Sequence, residues 1–585
     1  MNLLEVLRGR FYQALLGWAP DPLTAAALVK PATDAKFGDY QANAAMSLGK
    51  SMGKPPRQVA EELLARLQWD DILEKPEIAG PGFINLKFRN DYLEGLLSQA
   101  ANDDRIGIAK VANPRRIVID FSGPNVAKPM HVGHLRSTIL GESLARLHRF
   151  LGHLVITDNH LGDWGTQFGI LLYGYRNKLD AENLKKNPVA ELARLYVEVR
   201  KEFKTGSDEE GGDKSDPVQD ACRLETVKLH QGDEENLALW NRFMPFCLEE
   251  IDAVYRRLDV HFDHILGESH YQPMLATVVE DLLSLGIARE SQGAVGVFLT
   301  EEGAPALIRK SDGAFTYTTT DLATIDYRIR EFNPTEILYV VDSRQHLHFH
   351  NLFETAKRWG RTGTEKGPRL VHVPFGSVLG TDRKPIKTRD GKAVANLDQL
   401  LDEAVRLAGE IFDANRAEDA ELFNRSLVAE TVGIGAVKYA DLSQNRTTDY
   451  VFSWEKMLAM DGNTAAYMQY AYARCQSILR KAGVSPEALD TKAPISLATP
   501  EERALAIQIL RMEEILLAGA SELRPNIITG YLWDLAKAYS GFFQNCPVIK
   551  APPALLPSRL LLCHLVARSL KLGLELLGIQ VIERM

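Results

Sequence analysis

The chain has 585 residues, 45% of them hydrophobic and 25% charged, with a formal net charge of −9 and a pI near 5.9. This is the composition of a soluble globular protein with length for roughly three to five domains. The acidic balance gives no bulk signature of a nucleic-acid binder, although a basic stripe on an acidic protein remains compatible with it. Five cysteines (Cys222, Cys247, Cys475, Cys546, Cys563) stand singly without a C-x-x-C pair. They predict buried free thiols in a reducing compartment, and neither a disulfide framework nor a zinc site. The apolar N-terminus is interrupted by Glu5, Arg8 and Arg10, and no apolar run of about 20 residues occurs. Neither a signal peptide nor a membrane span is predicted, and the expected location is the cytoplasm.

Residues 1 to about 100 mix helical stretches with one strand, "GFINLKF", in which Ile84, Leu86 and Phe88 alternate with Asn85 and Lys87. The polar run "ANDDRIGIAKVANPRR" reads as a linker. From Ile117 the pattern becomes α/β. "IVIDF" is a short strand, a helix from His134 carries Leu135, Ile139, Leu144, Leu147 and Leu151, Gly152 stops it, and "LVITDN" is a second strand. This unit predicts a parallel sheet with a right-handed crossover. The acidic, Gly-rich "KTGSDEEGGDKSDP" (204–217) predicts a mobile loop within an insertion. "TEILYVVDS" and "RLVHVPFGSV" are strand-like around the helical "HNLFETAKRWG". From about residue 425 the chain is expected to be all-helical, with Leu505, Ile509, Met512 and Leu516 on one face and a Leu-rich helix over 558–577.

The stretch "DFSGPNVAKPMHVGHLRSTILGESLARL" (Asp120–Leu147) places a loop between a strand and a helix start. Unpaired N–H groups and the positive end of the helix dipole make such a junction suited to phosphate. His131 and His134 are spaced to face a triphosphate near the first turn, Gly133 leaves room for an adenine against the backbone, and Lys128 adds a cation. The alternative is that both histidines are helix caps. "QHLHFH" alternates His346, His348 and His350, but without a Cys or a placed carboxylate a metal site is not predicted.

"PNVAKPMHVGHLRSTILGE" followed by "DNHLGDWGTQFGIL" resembles class I aminoacyl-tRNA synthetases, and within them the arginyl-tRNA synthetase family. "GESHYQPM", "FTYTTTDLA", "VVDSRQHLH", "AVKYADLSQNRTTDYVF" and "GIQVIERM" extend the resemblance over nearly the whole chain. It implies an α/β multidomain fold: an α+β N-terminal domain (1–108), a Rossmann-type parallel-sheet catalytic domain (109–424) with an insertion at about 175–262, and an all-α anticodon-binding domain (425–585). The second class I motif departs from pattern. Its loop reads "GTDRKPIKTRDGK", with Pro385 near the first lysine position and Asp390 near the second, leaving Lys384, Lys387 and Arg389 to supply charge. In the family a lysine just before the histidine signature is thought to compensate, and Lys128 is in that position.

The resemblance implies ATP-dependent ligation of L-arginine to tRNA(Arg) through an arginyl-adenylate. Such chemistry needs positioning and charge stabilisation rather than a protein nucleophile. Catalytic roles are expected for Lys128, His131, Gly133 and His134, and ATP contacts for His131, His134, Gly162, Asp163, His346, Lys384 and Lys387. Mg²⁺ is expected with ATP, on phosphates and water rather than in a protein cage. A guanidinium presents five donors in a fixed fork and so calls for carboxylates and planar acceptors. By motif position the arginine contacts are Asp120, Ser122, Asn125, His134, Glu268, Tyr317, Asp321 and Gln345, with Asn125 and Gln345 at the α-amino and carboxylate end. In "YMQYAYAR" Tyr467, Tyr470 and Arg474 share one helix face suited to stacking on anticodon bases, although an aromatic core stripe would read alike. The N-terminal domain, with "KFGDYQAN", is implied to contact the tRNA elbow. The implied partners are tRNA, arginine and ATP, with no DNA and no membrane, and the implied state is a monomer. Two other readings stay open: another nucleotidyltransferase using the same phosphate site, and a non-catalytic tRNA-binding descendant.

Overall fold

The computed structural model describes residues 2–203, 216–300, 305–363, 367–384, 396–414 and 424–585. At the N-terminus four short antiparallel strands, β1 (Val29–Pro31), β2 (Tyr40–Ala42), β3 (Glu77–Ala79) and β4 (Phe83–Leu86), form a sheet in the order β1-β2-β4-β3. The alternation predicted for "GFINLKF" holds, since Ile84, Leu86 and Phe88 are fully buried.

The second sheet is built from β5 (Arg116–Asp120), β6 (Leu154–Asn159) and β7 (His264–Ile265). A three-stranded antiparallel sheet follows, made of β8 (Ala288–Ser291), β9 (Ala294–Val297) and β10 (Ala306–Arg309). The chain then returns to the parallel sheet with β11 (Glu336–Tyr339) and β12 (Arg369–His372), giving the order β12-β11-β5-β6-β7. Ile117, Val118 and Ile119 and the whole of β11 are buried, as expected of strands covered on both faces. The strand order reverses between β5 and β11, and a crevice at the carboxyl ends of such strands is where ligands bind open α/β sheets. The loop 121–131 and the helix Val132–Phe150 begin there.

Helices Thr166–Lys178, Ala181–Lys186, Pro188–Lys201, Pro217–His230 and Glu234–Leu258 make up the insertion between β6 and β7. Most of the predicted 204–217 loop lies outside the described residues. Beyond residue 424 the chain is helical with one exception that the sequence pattern missed. A two-residue strand, Tyr450–Val451, pairs in parallel with Val378–Leu379 and so ties the chain beyond residue 424 to the segment after β12. The stripe Leu505, Ile509, Met512, Leu516 is buried, but it runs across two helices, Pro500–Leu510 and Met512–Glu522. All five cysteines are buried and free. No described helix is long and apolar enough to cross a membrane.

Polar contacts fix the parts to one another. In "KFGDYQAN", Asp39 takes both Nη atoms of Arg503 (2.8 and 2.7 Å), and the Tyr40 hydroxyl donates to Glu514 (2.8 Å), so this stretch docks the N-terminal sheet on the helical part. Arg136, on the helix Val132–Phe150, is buried against Asp441 and donates to the carbonyls of Gly376 (2.7 Å) and Thr448 (3.1 Å). Lys438 is buried too, donating to the carbonyls of Leu258 (2.5 Å) and Gly578.

Candidate active site

The helix Val132–Phe150 starts with a reciprocal cap made of imidazoles. His131 is the N-cap, and its Nδ1 accepts from the Gly133 N–H (3.1 Å). The His131 N–H donates to Nδ1 of His134 (3.1 Å), and the two rings stack 3.9 Å apart. Capping and ligand-facing were opposed alternatives in the sequence; in the structure the cap is the arrangement that fixes the rings. With both Nδ1 atoms accepting, each neutral ring carries its proton on Nε2. Burial, reinforced by Lys128, lowers His131, and burial with His131 and Lys128 pushes His134 down to about 3. Both rings are therefore neutral donors near pH 7. Gly133 makes room for the His131 ring, since a Cβ there would lie 2.8 Å from its Cε1.

Lys128 supplies positive charge next to this pair, with its Nζ 5.4 Å from the centre of the Tyr196 ring on the insertion helix Pro188–Lys201. Lys384 closes a turn after Val378–Leu379, its carbonyl accepting from Gly380 N–H (2.8 Å). Lys387 lies outside the described residues. On the far side of that segment Asn396 bridges back to His131, and the Leu397 N–H donates to the Met130 carbonyl (3.0 Å), so the chain beyond it is anchored at the histidine cap.

The loop after β5 is stiffened from behind. Ser122, at φ +74, has its hydroxyl hydrogen-bonded to Thr138 (2.8 Å) and Tyr255 (2.7 Å), while its N–H donates to Ser137 (2.8 Å). Its contacts are internal. Asn125 packs on Gly162, where any Cβ would overlap the Asn125 amide oxygen. Asp163 faces inward as well: its carboxylate accepts from the Ser269 N–H (2.9 Å) and hydroxyl (2.6 Å), tying the loop after β6 to the loop after β7.

Burial raises the Glu268 carboxyl above its usual range, and Asp163 and Asp321 add to the rise while His160 opposes it. Asp321 lies one turn after Tyr317 on the helix Tyr317–Phe332 and accepts from His348 Nε2 (2.6 Å). Tyr317 is 65% exposed and packs on His348 at 4.8 Å. "QHLHFH" is a turn of 3₁₀ helix running into the helix His346–Arg358, so its histidines do not share a strand face. Gln345 and His346 are exposed at its start, with His346 stacked 6.0 Å from His372. Asp120 ends β5 paired with Arg328 (2.8 Å).

Sequence reasoning passed over His160, Tyr271 and Arg328, and weighed His348 only as a metal ligand. A signal for Arg328 was present: it follows Asp321 by seven residues, two helical turns, a lone cation on a face that otherwise carries Leu, Ile and Thr. On the helix Ala465–Lys481, Tyr467 packs inward on Trp533 (5.3 Å) and bonds Ser540 (3.0 Å). Tyr470 is at the surface, where Arg474 lies over both its ring (4.6 Å) and that of Phe543 (4.8 Å).

A reversing parallel sheet, a histidine-capped helix at the reversal and a lysine beside it define a class I nucleotide-binding site. The family described as class I tRNA synthetase (R) catalytic domain matches residues 96–454, the arginyl tRNA synthetase N-terminal domain matches 5–88, and the DALR anticodon binding domain matches 468–585. An arginine–tRNA ligase of Rhodopirellula baltica is 43% identical, and one of Synechococcus elongatus 44%. Each alignment covers all of this chain, and 100% and 99% of the relative. Among solved structures, arginyl-tRNA synthetase of Plasmodium falciparum superposes with a TM-score of 0.80 at 31% identity, covering 95% of this chain and 94% of that one. The Thermus thermophilus arginyl-tRNA synthetase gives 0.82 at 25% identity, covering both chains fully. The chain belongs to the arginyl-tRNA synthetase family.

Proposed function

We propose that the family's reaction, ATP-dependent ligation of L-arginine to tRNA, is divided in this chain between two faces of the crevice. The reading rests on one observation above others: the Glu268 carboxyl is buried with Asp163 and Asp321 adding negative charge around it, and no described basic side chain other than His348 bonds Glu268 or Asp321. A cationic, multi-donor side chain resolves that frustration, and a guanidinium fits it.

On the ATP side, His131 and His134 offer Nε2–H donors and Lys128 offers charge where pyrophosphate departs. Gly162 and His346 border the nucleotide, and the second loop adds the charge of Lys384 and Lys387. Mg²⁺ arrives on the nucleotide's phosphates. On the arginine side, Glu268, Asp321 and Tyr317 receive the guanidinium, and Asp120, Asn125 and Gln345 the α-amino and carboxylate end. Ser122 shapes the loop. The substrate carboxylate attacks the α-phosphate of ATP, forming arginyl-adenylate and releasing pyrophosphate; a terminal ribose hydroxyl of tRNA then takes the arginyl group and AMP leaves. The neutral histidines favour the transition state because they donate to growing phosphate charge without trapping the ground state as strongly as fixed cations.

Tyr470 and Arg474, with Phe543, form the anticodon-facing patch; Tyr467 holds that helix in place. The domain division at 108 and 424, a monomer and a cytoplasmic location complete the reading. ATP–pyrophosphate exchange tests it directly, run with each amino acid in the presence and absence of tRNA. Signal with arginine alone supports the reading, and exchange with lysine in place of arginine overturns it.

A further inference from the structure

Arg328 is fully buried. Its Nη2 lies 2.8 Å from Asp120 and 2.9 Å from Asp158, its Nε donates to Asp158 (3.0 Å), and its guanidinium lies over the Tyr339 ring at 5.6 Å. Two carboxylates and an aromatic face around a guanidinium repeat, inside the wall of the site, the chemistry that the crevice offers to its substrate.

The two carboxylates are not equivalent. Asp158 is wholly enclosed, whereas the Asp120 side chain keeps 13% of its surface exposed at the carboxyl end of β5. One guanidinium between two carboxylates leaves a single negative charge, and Asp120 is the member that reaches the crevice. Arg328, Asp158, His160 and Tyr339 surround it from the helix Tyr317–Phe332, from β6 and the residue after it, and from β11. Burial raises the Asp120 carboxyl, and Arg328 is the foremost group opposing that rise. A site holding two open carboxylate groupings would accept arginine in either direction, because the substrate carries a cationic group, α-ammonium or guanidinium, at each end. Filling one of them removes the reversed mode.

We infer that Arg328 is a positioning residue for substrate orientation: a built-in guanidinium that occupies the Asp120–Asp158 pair, turns the free edge of Asp120 toward the α-ammonium group, and leaves Glu268 and Asp321 for the substrate side chain. This rests on the assignment of Glu268 and Asp321 made above.

The test uses the full-length enzyme, arginine-dependent adenylate formation and two variants. Arg328→Lys keeps the charge but loses the planar fork. It should raise the arginine KM by about tenfold to a hundredfold, as misplacement of a contact does, with the ATP KM unchanged. Arg328→Ala should lose activity and regain part of it, saturably, on adding guanidinium ion at concentrations that leave the parent enzyme unaffected; ammonium ion should not substitute. A merely structural role would move both KM values together and show no selective rescue. A normal arginine KM in Arg328→Lys overturns the inference, as does a folded Arg328→Ala that guanidinium fails to rescue. If Arg328→Ala does not fold, the lysine variant decides. Glu268→Gln separates the two levels. If it leaves the arginine KM unchanged, the pocket assignment itself fails; if it raises the KM while Arg328→Lys does not, only the role of Arg328 falls.

Discussion

Arg136 and Asp441 meet 3.0 Å apart across 305 residues of sequence, with side chains 1% and 0% exposed. The same guanidinium holds the carbonyls of Gly376 and Thr448, so it joins the histidine-capped helix, the segment leading to Lys384 and the helix Arg425–Leu442. Asp441→Ala should strand a buried charge and cost about 3–5 kcal/mol of stability. Thermal unfolding reads this, and the ATP KM should rise with it because the second loop loses its register. Unchanged unfolding would show that the pair carries no such weight.

Glu268→Gln and Asp321→Asn should each raise the arginine KM roughly ten- to a hundredfold, the range for losing a charge-assisted hydrogen bond. The ATP KM should stay near the parent value. Equal effects on both substrates would place these carboxylates outside the arginine pocket.

Lys128→Ala should slow adenylate formation by about 10²–10³, the usual cost of one electrostatic contact to a transition state. Equilibrium arginine binding should be nearly intact, and Lys384→Ala and Lys387→Ala should do less. Single-turnover measurements at saturating ATP, arginine and tRNA make the comparison. A crippled Lys387→Ala beside a normal Lys128→Ala would move the phosphate role to the second loop.

Burial, aided by Arg146, lowers Lys438 to about 7, against about 10.4 for a lysine in the unfolded chain. Between those values the unfolded state binds more protons, so stability should rise with pH from 7 towards 10. Lys438→Met removes this slope. The stability gap between the parent and Lys438→Met should therefore widen in the parent's favour by about 2 kcal/mol between pH 7 and 9. Parallel unfolding curves at the two pH values would contradict the buried, depressed amine.

Tyr470→Ala, Arg474→Ala and Phe543→Ala should weaken tRNA binding, each lost stacking contact costing about 1–3 kcal/mol. Arginine and ATP binding should be untouched, and the Arg474 variant should flatten the salt dependence of tRNA affinity. Tyr467→Phe should cost far less, since its ring stays packed on Trp533.

Much of the architecture was legible because β5, β6 and the helix between them carry unambiguous periodicity and a glycine stop. Period and composition are local properties, and they read well wherever one element packs on one core. The Tyr450–Val451 strand escaped because two residues have no period; only its partner, Val378–Leu379, defines it. Asp163 and Ser122 were grouped with the substrate contacts by motif, and their inward hydrogen bonds depend on Ser269 and Tyr255, more than a hundred residues away. Arg328 was missed for the converse reason: a charged residue on a helix reads as solvated until the two strands that bury it are in place.

The capped helix start divides each signature imidazole between two duties. One nitrogen, Nδ1, builds the chain's turn and the other, Nε2, stays out of it. Asparagine at either position would imitate the architectural half, and lysine the electrostatic half, but neither side chain offers both at that separation on a rigid ring. Replacing either imidazole by asparagine or lysine therefore gives up one of the two arrangements.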